Sequence, residues 1–206
     1  MPLEPSGIIV FAHGSGSSRL SARNLAIAES FVRQGFATLL LDLLTRDEEI
    51  SDRHARDRHF DIELLAGRLV ATVDWIEHQP ELGSLPVGLF GASTGAAAAL
   101  VAATRLRNIA AIVSRGGCVD LAGDSLPEVT SPTLLIVGER DGDVLELNHR
   151  AMKRMRTTTA IHVVPNTGHM FDQIGALREV TNVAAMWFRK QFESARWRGQ
   201  HPDLFD

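Results

Sequence analysis

Six apolar runs recur along the chain: Gly7–Ala12, Ala37–Leu43, Leu85–Phe90, Ile109–Val113, Thr133–Gly138 and Ala160–Val164. Most are continuous and do not alternate with polar positions, the pattern of strands covered on both faces in a parallel sheet. Between them the period changes. Ala22 to Gln34 reads as a helix stopped by Gly35. From Asp61 a helix carries Ile62, Leu65, Leu69, Val73 and Ile76 along one face until Pro80 ends it. Val144–Arg156 reads as another, and the last helix presents Leu177, Val180, Ala184, Trp187 and Phe188 on one side. One segment breaks the pattern. Thr45 to His59 is polar and dense in charge, and it reads as a long surface loop with His54 and His59 exposed in it. The tail from Arg196 to Asp206 is polar and reads as frayed.

Strands alternating with helices predict an α/β class fold: a doubly wound, mainly parallel sheet of six strands flanked by helices. No repeat, linker or break in composition divides residues 1–206, so a single domain is expected. The formal net charge of −4 offers no basic field for nucleic acid. A single cysteine, Cys118, rules out an internal disulfide framework and fits a reducing, cytoplasmic setting. No secretory leader and no apolar run of about 18 residues is visible, so no membrane partner is expected.

The candidate chemistry centres on Gly91-Ala92-Ser93-Thr94-Gly95, with an apolar run before it and the Ala-rich stretch Ala96–Ala103 after it. By chance, Gly-x-Ser-x-Gly arises in about one chain in fifteen of this length, so the motif alone decides little. Its place decides more. A reversal between strand and helix strains the serine, requires small neighbours, and lifts the hydroxyl above the sheet at a helix N-terminus. In a parallel sheet ligands bind beyond the carboxyl ends of the strands. His13-Gly14-Ser15, Ser93, Asp141 and His169 all fall there, after the first, third, fifth and sixth strands. The order Ser…Asp…His is that of the α/β-hydrolases.

Across Gly7 to about Phe192 the chain resembles the dienelactone hydrolase-like group of α/β-hydrolases. The resemblance rests on His13-Gly14-Ser15-Gly16-Ser17-Ser18-Arg19, Asp42-Leu43-Leu44-Thr45, the Ser93 elbow, Ser114-Arg115-Gly116-Gly117, Leu134 to Asp141, and Gly168-His169. It implies a minimal α/β-hydrolase fold without a lid domain. Ser93 would be the nucleophile, His169 the base and Asp141 the acid that orients it. The backbone N–H groups of Ser15 and Thr94 would form an oxyanion hole. Dienelactone hydrolases proper carry cysteine in the elbow, so the implied activity is a general carboxylic ester hydrolase using an acyl-enzyme on Ser93. An acyltransferase, a perhydrolase-type enzyme, dienelactone hydrolysis and a non-catalytic binding module are the alternatives. The fold usually begins with two further strands, so an edge strand is expected to be exposed, a place for a second copy of the chain.

Around this core, His13 is expected to order the oxyanion loop, or to touch substrate. Arg19 and Arg115 follow strand ends, and either guanidinium could hold a substrate carboxylate. Cys118 reads as a packing residue. Asp143 is the rival of Asp141, and Asp172 is expected to cap the last helix. No third ligand joins His54 and His59, so no metal and no cofactor is expected. Val119 to Pro132 is too short for a helical lid. An open site for small, short-chain esters follows.

Overall fold

The computed structural model describes residues 1–55 and 60–201, with the side chains of residues 52–55 excepted. His54 and His59 therefore lie outside the described side chains. Six strands form one parallel sheet: β1 (Ile8–Ala12), β2 (Ala37–Leu40), β3 (Val87–Ala92), β4 (Ile109–Arg115), β5 (Thr133–Gly138) and β6 (Thr159–Val164). Their spatial order is β2-β1-β3-β4-β5-β6, so the chain winds outward in both directions from β1 and β3. Strands β2 and β6 are the edges, and β2 is only half-buried along Thr38–Leu40.

The helices are α1 (Ala22–Arg33), α2 (Arg46–Ala55), α3 (Ile62–Glu77), α4 (Thr94–Arg105), α5 (Gly142–Arg154) and α6 (Ala176–Gln200), with a 3₁₀ segment at Val119–Glu128. Successive residues of β1 feed opposite faces, as the pleat demands. Ile8, Val10 and Ala12 join the core under α3 and α4, whereas Ile9 and Phe11 join the core under α1 and α6. The second core is built on phenylalanines. Phe11, Phe31 and Phe90 meet at centroid distances of 5.1–6.0 Å, and Phe188 and Phe192 of α6 continue the cluster. The 3₁₀ segment buries Val119, Ala122 and Leu126 in the first core. It packs as a wall of that core.

Three expectations are corrected. Residues 46–55 are helical, not loop, because Thr45 and Glu48 form a reciprocal capping box. The Thr45 N–H donates to Glu48 Oε2 at 2.7 Å and the Glu48 N–H to Thr45 Oγ1 at 3.3 Å. Asp47, Glu48 and Glu49 then stand in the first turn, where the helix dipole favours negative charge. The tail is also ordered further than expected, since α6 continues to Gln200 and Arg196 Nη2 donates to Pro5 O at 3.0 Å. Asp172 does not cap α6; Gly175, in the left-handed region at φ 85°, holds that position. Among the described residues no helix is long and apolar enough to cross a membrane.

Candidate active site

The reversal between β3 and α4 puts Ser93 at φ 50° and ψ −123°, a conformation that side chains other than hydrogen rarely adopt. Two glycines make it feasible. A Cβ on Gly91 would collide with the Ala96 backbone, and one on Gly95 with the carbonyl oxygen of Ala12. Backbone bonds then fix the turn to the end of β4: Ser93 N–H donates to Arg115 O at 3.3 Å, and Cys118 N–H to Ser93 O at 3.1 Å.

His169 arrives on the loop after β6. Gly138, at the end of β5, lets that loop approach, because a Cβ there would strike Thr167 O. The contact is tied by Arg140 N–H to Thr167 O at 2.9 Å and by Asn166 N–H to Glu139 Oε2 at 2.7 Å. His169 Nδ1 then lies 2.7 Å from Asp141 Oδ2. Because the carboxylate can only accept, Nδ1 carries the proton and Nε2 keeps a lone pair. Asp141 occupies the N-cap position of α5 without a capping bond from its side chain, which is spent on His169 instead. Asp143 sits two residues further, in the first turn of α5.

Ser93 and His169 both line a cleft of about 800 Å³, together with Gly14, Ser15, Ser18, Arg23, Glu49 and Arg115. A larger cleft of about 930 Å³ lies at the opposite end of the sheet, around Pro86, Arg107 and Arg196, and no histidine is among the described residues lining it. Among the described residues no group of three or more His, Cys, Asp or Glu side chains could hold a metal ion.

The loop after β1 departs from expectation. His13 is 4% exposed, and its Nε2 accepts from Leu43 N–H at 3.0 Å. Its Nδ1 therefore donates to Gly14 O, also at 3.0 Å. Both ring nitrogens are committed to backbone, so His13 anchors the loop and does not reach substrate. Gly14 lies tight against the serine, for a Cβ there would come within 2.8 Å of Ser93 Cβ. The N–H of Ser15 donates to Thr94 Oγ1 at 3.0 Å, so oxyanion donation from Ser15 requires that bond to be shared or exchanged. Thr94 N–H, by contrast, begins α4 and is one of the donors a helix leaves unpaired. Arg19 is also committed: its guanidinium pairs with Asp42 and its backbone N–H donates to Asp42 Oδ1 at 2.7 Å. Pairing of β1 with β2 brings the loops after these strands together, and Arg19 is not among the residues lining the cleft.

Arg115 behaves differently. It is 9% exposed, its Nε and Nη1 have no hydrogen-bond partner, and its Cζ lies 5.7 Å from the centre of the Phe171 ring. Burial, and then the positive charge of Arg23, pushes its guanidinium down to about 10, so it stays charged at neutral pH.

Sequence reasoning missed the position of Cys118. Its Sγ lies 3.6 Å from Ser93 Oγ, beside the elbow instead of in the core. Burial, above all, holds this thiol above its ordinary range, partly offset by the hydrogen bond with Ser93. Thiolate is what alkylating reagents attack. Iodoacetamide should therefore label Cys118 slowly at pH 7 and faster as pH rises past the ordinary thiol range. Cys118→Ala should retain ester hydrolysis within about threefold. Loss of activity in that variant, with rapid labelling at pH 7, would make the thiol the nucleophile.

The dienelactone hydrolase family model matches residues 2–193. A Mycobacterium tuberculosis protein provisionally named phosphoribosyl transferase is 56% identical over 189 residues, which cover 91% of this chain and 42% of that protein. The chain thus spans less than half the length of that relative. The crystal structure of a dienelactone hydrolase from Anabaena variabilis superposes with a TM-score of 0.89 at 49% identity, covering 91% of this chain and 88% of that one. Est1E from Butyrivibrio proteoclasticus superposes with a TM-score of 0.76 at 16% identity, over 92% and 90% of the two chains, a likeness of fold alone.

Proposed function

The chain belongs to the dienelactone hydrolase family and has the α/β-hydrolase fold, and from that premise we propose that it is a serine hydrolase of small carboxylic esters. The observation that carries this reading is the His169–Asp141 bond of 2.7 Å in a cleft that also holds the strained Ser93.

In the proposed reaction Ser93 Oγ attacks the ester carbonyl while His169 Nε2 takes its proton. The carbonyl oxygen becomes an oxyanion at the N-terminus of α4, where Thr94 N–H is an orphan donor. Collapse of the tetrahedral intermediate breaks the carbon–oxygen bond to the alcohol, and His169 returns the proton to the leaving alkoxide. Asp141 stabilises the imidazolium in between. Water, deprotonated by the same imidazole, then attacks the acyl-serine and releases the acid. The transferase in the name of the Mycobacterium relative is left with that longer protein. A serine and an imidazole in one cleft, with a carboxylate hydrogen-bonded to that imidazole, are equipment for acyl chemistry.

Among the described residues the loops that follow the strands supply most of the cleft wall, with Arg23 of α1 and Glu49 of α2 beside them. Acyl chains beyond a few carbons would project into water and gain little from burial. Hydrolysis of p-nitrophenyl esters should therefore decline steadily from acetate or butyrate to palmitate, and a fluorophosphonate should label Ser93. Palmitate as the best substrate would refute the open cleft, and an unlabelled Ser93 would refute the serine hydrolase.

A further inference from the structure

Ser93, His169 and Asp141 arrive on three separate strand ends, and the segment that closes β4 reaches the neighbourhood of each. At its start Arg115 O accepts from Ser93 N–H at 3.3 Å, and at its end Cys118 N–H donates to Ser93 O at 3.1 Å. The nucleophile is thus held by its backbone on both sides. Gly116, at φ 52°, lies against the base, for a Cβ there would come within 3.6 Å of His169 Cε1. Gly117 supplies the third contact. Its carbonyl oxygen accepts from Asn148 Nδ2 at 2.9 Å, and Asn148 stands on α5, the helix that Asp141 begins.

Asn148 is fully buried, and the same nitrogen donates to Val144 O at 2.8 Å. Two carbonyl acceptors fix which end of the amide meets Gly117. Its Oδ1 is left buried without a hydrogen-bond partner. An amide paired at one end only costs stability that an apolar side chain of similar volume would avoid, and asparagine is a poor helix former. What it supplies is a fixed distance. Ala151 is the only other buried residue of α5, so the helix offers few other contacts to set its separation from the segment after β4. On another side Gly117 is closed in, since a Cβ there would meet Ser114 Oγ and Ala96 Cβ of α4. The segment is clamped between α4, which follows the nucleophile, and α5, which follows the acid.

We propose that Asn148 is a positioning residue: through Gly117 O and the Cys118 N–H it sets the distance between Ser93 Oγ and the imidazole that Asp141 orients. The proposal rests on the serine hydrolase reading and extends it to a buried residue that does not line the cleft. Acid and base are joined independently of Asn148, by Asp141 Oδ2 to His169 Nδ1 and by the bonds between the loops after β5 and β6. Asn148 therefore acts on the gap between Ser93 and that pair, where a shift of about 1 Å can slow reaction about a hundredfold.

Asn148→Leu nearly keeps the volume and removes the donor. In that variant kcat for p-nitrophenyl acetate should fall about tenfold to a hundredfold with KM within about twofold, and fluorophosphonate labelling of Ser93 should slow in parallel. The deshielded proton resonance of His169 Nδ1, bonded to Asp141, should stay in place, because that bond does not pass through Asn148. Cys118→Pro breaks the same link at its other end. It removes the N–H that holds Ser93 O, at a φ of −79° that proline accepts. It should show the same slow labelling and the same retained resonance, and it carries the test if Asn148→Leu does not fold. Cys118→Ala, which keeps the N–H, is its control. Each variant is assayed well below its melting temperature, where lost stability alone leaves the rate of folded molecules unchanged. Labelling at the wild-type rate in both variants would overturn the positioning role and leave the serine hydrolase reading standing. So would loss of the histidine resonance together with activity, which would make Asn148 a support of α5 as a whole. An unlabelled wild type is a different result: it overturns that reading, and this proposal with it.

Discussion

Replacing Ser93 by glycine is expected to abolish ester hydrolysis and to raise the melting temperature. The activity half follows from the chemistry: without the hydroxyl there is no acyl-enzyme, and loss of a serine nucleophile costs on the order of 10⁴–10⁶ in kcat. The stability half follows from the backbone. A residue with a side chain held at φ 50° and ψ −123° costs about 1–3 kcal/mol. Glycine relieves that strain and gives back up to about 1 kcal/mol through the greater entropy of its unfolded chain. The net gain, about 1 kcal/mol, corresponds to about 2–4 °C in a domain of this size. Ser93→Ala is the necessary partner measurement. It loses the hydroxyl and keeps the strained Cβ, so it should be as inactive as the glycine variant and melt close to the wild type. The bonds from Ser93 N–H to Arg115 O and from Cys118 N–H to Ser93 O involve only backbone and survive both changes. Equal melting temperatures for the two variants would mean that the elbow stores no strain. Residual hydrolysis above about one per cent in either would place the nucleophile elsewhere, with Cys118 the nearest alternative.

The doubly wound sheet was legible in the sequence because the four inner strands are buried on both faces and so read as runs, and the two half-buried edge strands remain mostly apolar. The placement of Ser93, Asp141 and His169 after β3, β5 and β6 was legible because strand ends announce themselves and a parallel sheet gathers those ends at one edge. The misses have a common cause. His13, Arg19 and Cys118 are decided by which strand ends are neighbours in space, and strand order is not written in chain order. Once β1 lies between β2 and β3, His13 meets Leu43, Arg19 meets Asp42, and the loop after β4 lays Cys118 against Ser93. The helix at 46–55 is a different case, since its signal was present. Thr45-Arg46-Asp47-Glu48 is a capping box, and it is obscured because the helix it starts has almost no apolar face to give it a period.

Asp141 and Asp143 stand two residues apart at the start of α5, and substituting each by asparagine separates a catalytic role from a local one. In the wild type the Asp141 carboxylate accepts the Nδ1 proton and so leaves Nε2 unprotonated. An asparagine amide can donate its own N–H to Nδ1, which reverses the tautomer and puts a proton on the nitrogen that must act as base. Asp141→Asn should therefore lower kcat by about 10⁴ with little change in KM. Its stability should hardly move, because position 141 is the N-cap of α5, asparagine is as good a residue there as aspartate, and the aspartate makes no capping bond to lose. Asp143→Asn removes one negative charge from the first turn of α5, a change of about 0.3–1 kcal/mol in helix stability, and should leave kcat within about twofold. Reversal of the two results would assign the acid to Asp143 and require the loop carrying His169 to shift along α5. Equal, small effects in both would mean that the imidazole holds its tautomer without a carboxylate, and the 2.7 Å bond to Asp141 would then be architectural.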